Sequence, residues 1–457
     1  MGNKFSPPHV IVASFLLVIG IGAVLLTLPL ASGNGNSLGF LDALFTATSA
    51  TCVTGLVVRT TFDTWSWFGK LIILVLIQIG ALGYLTILNL VILLFKKKLS
   101  LKNELIIRSS FNQESIGGME KLVKNVVLFS FIFEISGAIF LFFAFYFNAR
   151  MPPFEALYQG VFHSISAFCN AGFDNLGPVG LMPYQTAVMI NSVIMLLIIA
   201  GGLGFPVLIE IASMLKKTPQ TRSAFRAFSV HTKIALVVTI ILIVAGALFF
   251  AFFEWNNPRT IANLSAPDKI VASLFQSVTL RTAGFNTVDQ GGLTDISKLF
   301  SCLLMIIGGS PAGTAGGIKT VTLGVLFFSM LSVLRGKRYI EAFGRTLPVD
   351  LLQKALTVTC ALFLVVLFST IILCSSENNE DVYHPFLDIF VEVCSAAGTV
   401  GVSAGITPTL TNIGKIVMMV CMFIGRLGPV AIVVALNMKL EANFANQKYL
   451  DGQVIIG

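Results

Sequence analysis

The sequence predicts an all-α polytopic membrane protein: four pseudo-symmetric parallel repeats of helix, re-entrant pore loop and helix, giving eight transmembrane helices around a central pore. Three observations predict it. The chain has too few charges for a soluble surface, it carries eight apolar runs, and a polar stretch ending in glycine recurs between the members of each pair of runs. Of 457 residues, 55% are hydrophobic and 11% charged, against about 25% charged in an ordinary soluble domain. So few charges cannot cover a water-facing surface of this size. Disorder requires low hydrophobicity and high charge. Barrel strands would leave short alternating segments, whereas these runs are unbroken.

The runs lie near 10–30, 70–94, 125–147, 187–211, 234–253, 298–333, 355–374 and 413–436, each long enough to span a bilayer. The first follows Lys4. It exceeds the apolar core of a signal peptide, so it reads as a retained helix.

The stretches between the runs begin at Asp42, Ala156, Ala272 and Phe390 and reach a turn at Gly55, Gly172, Gly284 and Gly401. Those glycines recur at intervals of 117, 112 and 117 residues. A second landmark keeps step: Gly80/Gly83, Gly201/Gly204, Gly308 and Gly425/Gly428 follow the first by 25, 29, 24 and 24 residues. Two landmarks in register four times define an internal repeat. Helix packing through small residues does not explain why a polar segment too short to span recurs each time. The repeats are 1–98 (pore loop 42–56), 99–217 (pore loop 155–174), 218–345 (pore loop 271–287, glycine-rich loop 308–319) and 346–457 (pore loop 388–403, then a short cytosolic tail).

The net charge of +8 marks loops, not nucleic-acid binding. Basic residues cluster at Lys96, Lys97, Lys98, Lys102 and Arg108, at Lys216, Lys217, Arg222 and Arg226, and at Arg335, Lys337, Arg338 and Arg345. The opposite loop 375–388 has no Lys or Arg and four acids: Glu377, Glu380, Asp381 and Asp388. Basic loops stay cytoplasmic, which places both termini inside and the re-entrant turns on the outer side. Seven cysteines form no CxxC pair and read as small buried hydrophobes.

Non-helical backbone at membrane depth persists where it is buried in protein or lines a water-filled path. Four such turns on one axis form a ring of carbonyl oxygens able to replace a cation's hydration shell. The half-helices aim their negative ends at that ring, and glycine at each turn permits positive φ. Arg281, the one charge in the four turns, reads as a brace.

The segments Thr-Ala-Thr-Ser-Ala-Thr-Cys-Val-Thr-Gly55, Ser-Ala-Phe-Cys-Asn-Ala-Gly172-Phe, Arg281-Thr-Ala-Gly284-Phe-Asn-Thr and Gly-Thr-Val-Gly401 resemble the four pore loops of the Trk/Ktr/HKT superfamily of potassium transporters. The resemblance covers nearly the whole chain and is closest to the Ktr (KtrB-like) membrane-subunit branch, including the tail 449–457. It implies a potassium-selective filter formed by Val53, Thr54 and Gly55; Asn170, Ala171 and Gly172; Thr282, Ala283 and Gly284; and Thr399, Val400 and Gly401. Gly55, where some relatives carry Ser, favours potassium over sodium. The fourth loop departs from the pattern at Ala396-Ala397, where an aromatic residue is expected.

The run 298–333 contains Gly308, Gly309, Pro311, Gly313, Gly316 and Gly317, then Lys319. Glycine costs about 1 kcal/mol and proline about 3 kcal/mol inside a helix, so two helix pieces joined by a loop at membrane depth are expected. It is not a phosphate loop, because Ile318 separates Gly317 from Lys319 and no βα unit surrounds it. The resemblance makes 308–319 the gating loop under the filter. It also places Arg426 on the pore beside that loop. Lys319 either repels cations near the axis or reaches the cytoplasmic interface. Glu134 and Glu210 read as structural pairing residues, and His163 as a satisfied helix residue.

The resemblance further implies a homodimer in the plasma membrane of a prokaryote and a cytosolic ring of RCK-type (KtrA-like) nucleotide-binding subunits on the basic face. The regulatory nucleotide then sits on that partner, this chain holds potassium alone, and transport is open to sodium stimulation. Membrane lipid surrounds the chain and no nucleic acid binds it. Two other classes compete. A secondary ion-coupled transporter needs inverted repeats and midplane acids, whereas these repeats run parallel. An ammonium-conducting pore differs only in the ion. No HExxH, Ser/His/Asp or paired-carboxylate constellation argues for an enzyme.

Overall fold

Long apolar segments satisfy their backbone groups in lipid by folding as helices. The computed structural model describes residues 7–83, 119–216, 224–378 and 383–428. In chain order its helices are α1 (Pro7–Thr27), α2 (Phe40–Thr51), α3 (Thr61–Thr64), α4 (Trp67–Leu82), α5 (Met119–Phe147), α6 (Pro153–Phe168), α7 (Val188–Leu203), α8 (Phe205–Lys216), α9 (Ala224–Ala227) and α10 (Val230–Glu254). There follow α11 (Ala266–Thr279), α12 (Asp295–Ile306), α13 (Thr320–Leu334), α14 (Val349–Ser376), α15 (Phe386–Gly398) and α16 (Asn412–Leu427). Among the described residues, α1, α5, α10 and α14 are each long and apolar enough to cross a membrane.

The partners of these four are shorter. Helices α4, α7 and α16 have 16 residues each, or about 24 Å at 1.5 Å per residue, less than the roughly 30 Å hydrocarbon core. All three stop at a glycine in the same conformation: Gly83, Gly204 and Gly428, with φ of 78°, 85° and 84°. The chain past Gly83 and Gly428 lies outside the described residues, as do Lys96 to Arg108, Lys217, Arg222, Glu380, Asp381 and the tail 449–457.

The run 187–211, expected as one span, is broken. At Gly204 the chain bends by 101° from α7 into α8. Pro206 lacks the N–H that would bond the Gly202 carbonyl, and that carbonyl accepts the Ser310 N–H instead, at 2.7 Å. The run 298–333 is two helices, α12 and α13, joined through 307–319 as expected. Pro311 stands three residues after Gly308, the place Gly83, Gly204 and Gly428 hold after Gly80, Gly201 and Gly425.

The long helices pack on the half-helices that follow them: α1 on α2, α5 on α6, α10 on α11 and α14 on α15. The shorter helices reach forward, α4 to α6, α7 to α11, α12 to α15 and α16 to α2. The succession of contacts therefore closes on itself. Two ion pairs sit on these forward contacts. Lys298 of α12 meets Asp388 of α15 at 2.6 Å, and Lys415 of α16 meets Asp42 of α2 at 2.8 Å. Burial pushes the Asp42 carboxyl up, but hydrogen bonds from Lys415 and Arg59 outweigh it and hold the group below its ordinary value.

N-caps fix where the shorter helices start. The hydroxyls of Ser66, Thr294 and Thr411 accept the N–H groups of Gly69, Ser297 and Gly414. Glu254 and Glu377, at the ends of α10 and α14, accept from the Thr294 and Thr411 hydroxyls at 2.7 and 2.6 Å. Glu377 and Asp388, expected as loop charges, are thus a capping group and an ion-pair partner.

Two further features depart from expectation. The basic segment after α13 holds a hairpin, β1 (Ile340–Ala342) against antiparallel β2 (Arg345–Leu347), with Ile340 opposite Leu347. Its turn residues Phe343 and Gly344 both have positive φ, the tight-turn geometry that suits strand twist. Cysteines 52, 169, 302, 394 and 421 are buried, but Cys360 is exposed and Cys374 half-buried.

Candidate functional site: a closed ring of four turns

The half-helices α2, α6, α11 and α15 deliver four turns with one shared backbone pattern. Val53, Asn170, Thr282 and Thr399 have φ of 56°, 57°, 62° and 52°. Two residues on, Gly55, Gly172, Gly284 and Gly401 have φ of 95°, 68°, 82° and 96°. A left-handed residue other than glycine is uncommon, and for β-branched Val and Thr it is strained. Four such residues in register therefore mark an imposed geometry.

The turns touch in a circle. A Cβ on Gly55 would stand 2.5 Å from the Ala171 carbonyl oxygen, and one on Gly172 would stand 2.6 Å from that of Ala283. On Gly284 and Gly401 it would press still closer on the carbonyl oxygens of Val400 and Thr54. Each glycine is thus required by the next turn, and the fourth returns to the first.

The N–H groups of the turns point back at the half-helices. Thr54 N–H donates to Ser49 O at 2.8 Å and Gly55 N–H to Ser49 Oγ at 3.1 Å. The fourth turn repeats both bonds, from Val400 and Gly401 to Ser395. Ala171 N–H donates to Ser166 O at 2.8 Å, and Ala283 N–H to Thr279 O at 2.9 Å. In a trans peptide the C=O points opposite to the N–H, so the carbonyls of Val53, Thr54, Asn170, Thr282, Thr399 and Val400 face away from the half-helices. Ser166 and Thr279 hydroxyls donate to the Phe173 and Phe285 carbonyls, bracing the outer side of turns two and three.

The twelve residues 53–55, 170–172, 282–284 and 399–401 are all buried. Among the described residues, none of their carbonyl oxygens accepts a hydrogen bond. More than nine in ten buried backbone carbonyls are paired in native proteins, so twelve unpaired together call for another partner. The buried hydroxyls of Thr54, Thr282 and Thr399 are likewise without a protein partner. An all-oxygen lining without a net charge suits a hard monovalent cation and offers nothing to an anion.

Against this ring lies the loop 307–319. Its ends are stitched by Gly308 N–H to Ile318 O and Ile318 N–H to Ile306 O, both 2.9 Å. A Cβ on Gly316 would collide with the Thr399 hydroxyl. Thr314 N–H donates to Gly201 O at 3.2 Å, and Phe205 N–H donates to Ala312 O at 3.1 Å. The Arg426 guanidinium donates to Thr314 O, and to Gly80 O at 2.6 Å and Ala81 O at 3.2 Å, the unpaired carbonyls at the C-terminal end of α4. Lys319 donates to Ala315 O at 2.6 Å. Gly308, Gly309, Pro311, Gly313, Gly316, Gly317, Lys319 and Arg426 are thus one contiguous assembly beside the turns.

Arg281 donates to Gly308 O at 2.6 Å, linking the third turn to the base of the loop. Glu134 accepts from Gln78 at 2.9 Å, and Glu210 accepts from Ser229 and Thr232 at the start of α10. His163 is held between Gln159 O at 2.8 Å and Asp174 at 3.2 Å. The sequence reading missed the serines at 49, 166 and 395, each six residues before its glycine; that recurrence was a usable signal. It also missed Thr314, which no spacing distinguishes.

The fold and the ring define a multi-pass membrane protein of the cation-transport class. The chain belongs to the TrkH cation transport protein family, whose profile matches residues 6–448. It is 40% identical over 458 residues to the Ktr system potassium uptake protein B of Bacillus subtilis, covering 99% of this chain and 97% of that one. It is 37% identical to the potassium/sodium uptake protein NtpJ of Enterococcus hirae, covering 100% and 98%. The crystal structure of the potassium transporter TrkH from Vibrio parahaemolyticus matches with a TM-score of 0.72 at 17% identity, covering 95% of this chain and 86% of that one. These relatives are membrane transporters and not enzymes.

Proposed function

We propose that this chain is the membrane subunit of a potassium-uptake system. Cations cross through the ring of turns 53–55, 170–172, 282–284 and 399–401, and the loop 308–319 gates them with Lys319 and Arg426. The observation that carries the reading is the set of twelve buried carbonyl oxygens without a protein partner. Carbonyls in a ring replace a cation's hydration shell, and the negative ends of four half-helices add to the attraction. Uptake needs no nucleotide in the pore, because a negative-inside potential supplies about 2.3 kcal/mol per charge per 100 mV.

In this reading the four repeats at 1–98, 99–217, 218–345 and 346–457 supply eight membrane helices, with both termini cytoplasmic. The naming of the Bacillus relative as part of a Ktr system supports a multi-component assembly. The partner is a cytosolic RCK-type (KtrA-like) ring that carries the regulatory nucleotide, and the membrane subunit is a homodimer. The name of the Enterococcus relative supports a role for sodium beside potassium.

Uptake of rubidium, sodium and ammonium into liposomes under an imposed negative potential tests the reading. Fast rubidium uptake above that of sodium supports it. Saturable flux driven by a proton gradient would replace it with a carrier.

A further inference from the structure

Besides the Arg281 bond to Gly308 O, a side-chain hydrogen bond joins the second turn to the middle of the loop. Asn170 holds the left-handed position of the second turn, φ 57°. Its amide oxygen accepts from the Thr314 hydroxyl at 3.0 Å. Its amide nitrogen donates to the Arg281 carbonyl, in the third turn, at 3.3 Å. The Thr314 hydroxyl also lies 3.2 Å from Phe168 O, at the end of α6. Both side chains are buried, Asn170 at 1% and Thr314 at 0% exposure.

Thr314 is also where the loop is held from its other sides. Its N–H donates to Gly201 O and its carbonyl accepts from Arg426. The loop therefore cannot leave without giving up the Asn170 bond. Giving it up takes from the buried Asn170 amide oxygen the one hydrogen bond it accepts among the described residues.

Resting on the filter and gate reading above, we infer that Asn170 couples the two, so that loop position and ion selectivity are one linked equilibrium. With Thr314 docked, Asn170 is pinned at both ends of its amide and holds turns two and three in register. With the loop displaced, turn two loses that restraint and the ring discriminates less between ions. Linkage is reciprocal, so an ion that settles the ring also favours the docked loop. Asn170 and Thr314 are positioning residues in this scheme: they act through the carbonyls of the ring.

The experiment uses the full chain in lipid, with Thr314→Val, Thr314→Ala and the hydroxyl-retaining Thr314→Ser. Two quantities are read: the rubidium-to-sodium uptake ratio, and amide hydrogen exchange of 307–319 in potassium against choline. In the wild type, potassium slows exchange in the loop by about two- to tenfold, the reach of one hydrogen bond. Thr314→Val and Thr314→Ala abolish that potassium effect and lower the uptake ratio, and Thr314→Ser keeps both. If Thr314→Val raises flux while the uptake ratio and the potassium effect stay at wild-type values, the coupling is refuted and the gate survives. If the wild type itself shows no preference for rubidium, the filter reading fails first.

Discussion

Arg426 of α16 donates a hydrogen bond to the Thr314 carbonyl in the middle of the loop 307–319. The same guanidinium holds the Gly80 and Ala81 carbonyls at the end of α4. A single side chain from the last described helix therefore ties the loop to the end of α4. A cation placed at a helix C-terminus is electrostatically favoured, which suits the Arg426 guanidinium to the end of α4.

Arg426→Ala removes this tie. One charge-assisted hydrogen bond contributes about 1.5–3 kcal/mol, so cation flux is expected to rise by about tenfold or more. Arg426→Lys, which cannot span both sets of carbonyls with a planar fork, falls between. Unchanged flux in the alanine variant would remove Arg426 from the gate.

Deleting 311–317 takes out the segment that reaches the ring while sparing the stitched ends at Gly308 and Ile318. Rubidium flux through the purified protein is expected to rise. A folded but silent deletion variant would mean that the loop belongs to the conducting path.

Lys298 and Asp388 are 9% and 17% exposed at the side chain and 2.6 Å apart. Removing one partner of a buried pair strands the other charge, at a cost of about 3–5 kcal/mol. Asp388→Asn should therefore lower the melting temperature more than the double variant Lys298→Met with Asp388→Leu. Equal shifts would show that solvent screens the pair.

The Asp42 carboxyl is held below its ordinary value by Lys415 and Arg59. A depressed carboxylate contributes stability that is present above its unfolded pKa and lost as pH falls through the folded value. Acidification should therefore weaken the contact between α16 and α2, and Asp42→Asn should flatten the acid limb of the melting-temperature profile. A limb as steep as that of the wild type would assign the acid sensitivity elsewhere.

The ring was legible in the sequence because its constraint is local. A positive φ with another backbone pressed against the residue needs glycine, and the sequence prints that need four times, at 55, 172, 284 and 401. The broken helix 298–333 was legible for the same reason, through Pro311 and its glycines. The bend at Gly204 was not, because one Gly and one Pro inside an apolar run are compatible with a kinked span. What accompanies the break in this run is the Gly202 carbonyl accepting from Ser310 in the distant loop 307–319. Thr314 and the capping roles of Glu254 and Glu377 were hidden likewise: their partners lie far away in sequence, and residue type alone does not name them. The hairpin 340–347 went unread because its strands are three residues long.

The most direct test of the central claim compares the rubidium-to-sodium uptake ratio of the wild type and Gly55→Ser in the same liposomes. A Cβ at Gly55 must move the Ala171 carbonyl, 2.5 Å away, and strain a backbone at φ 95°. Strain of about 1–3 kcal/mol at such a site predicts a fall in the ratio of roughly tenfold with sodium uptake retained. An undiminished ratio in a variant that still conducts would contradict the assignment of this ring as the filter.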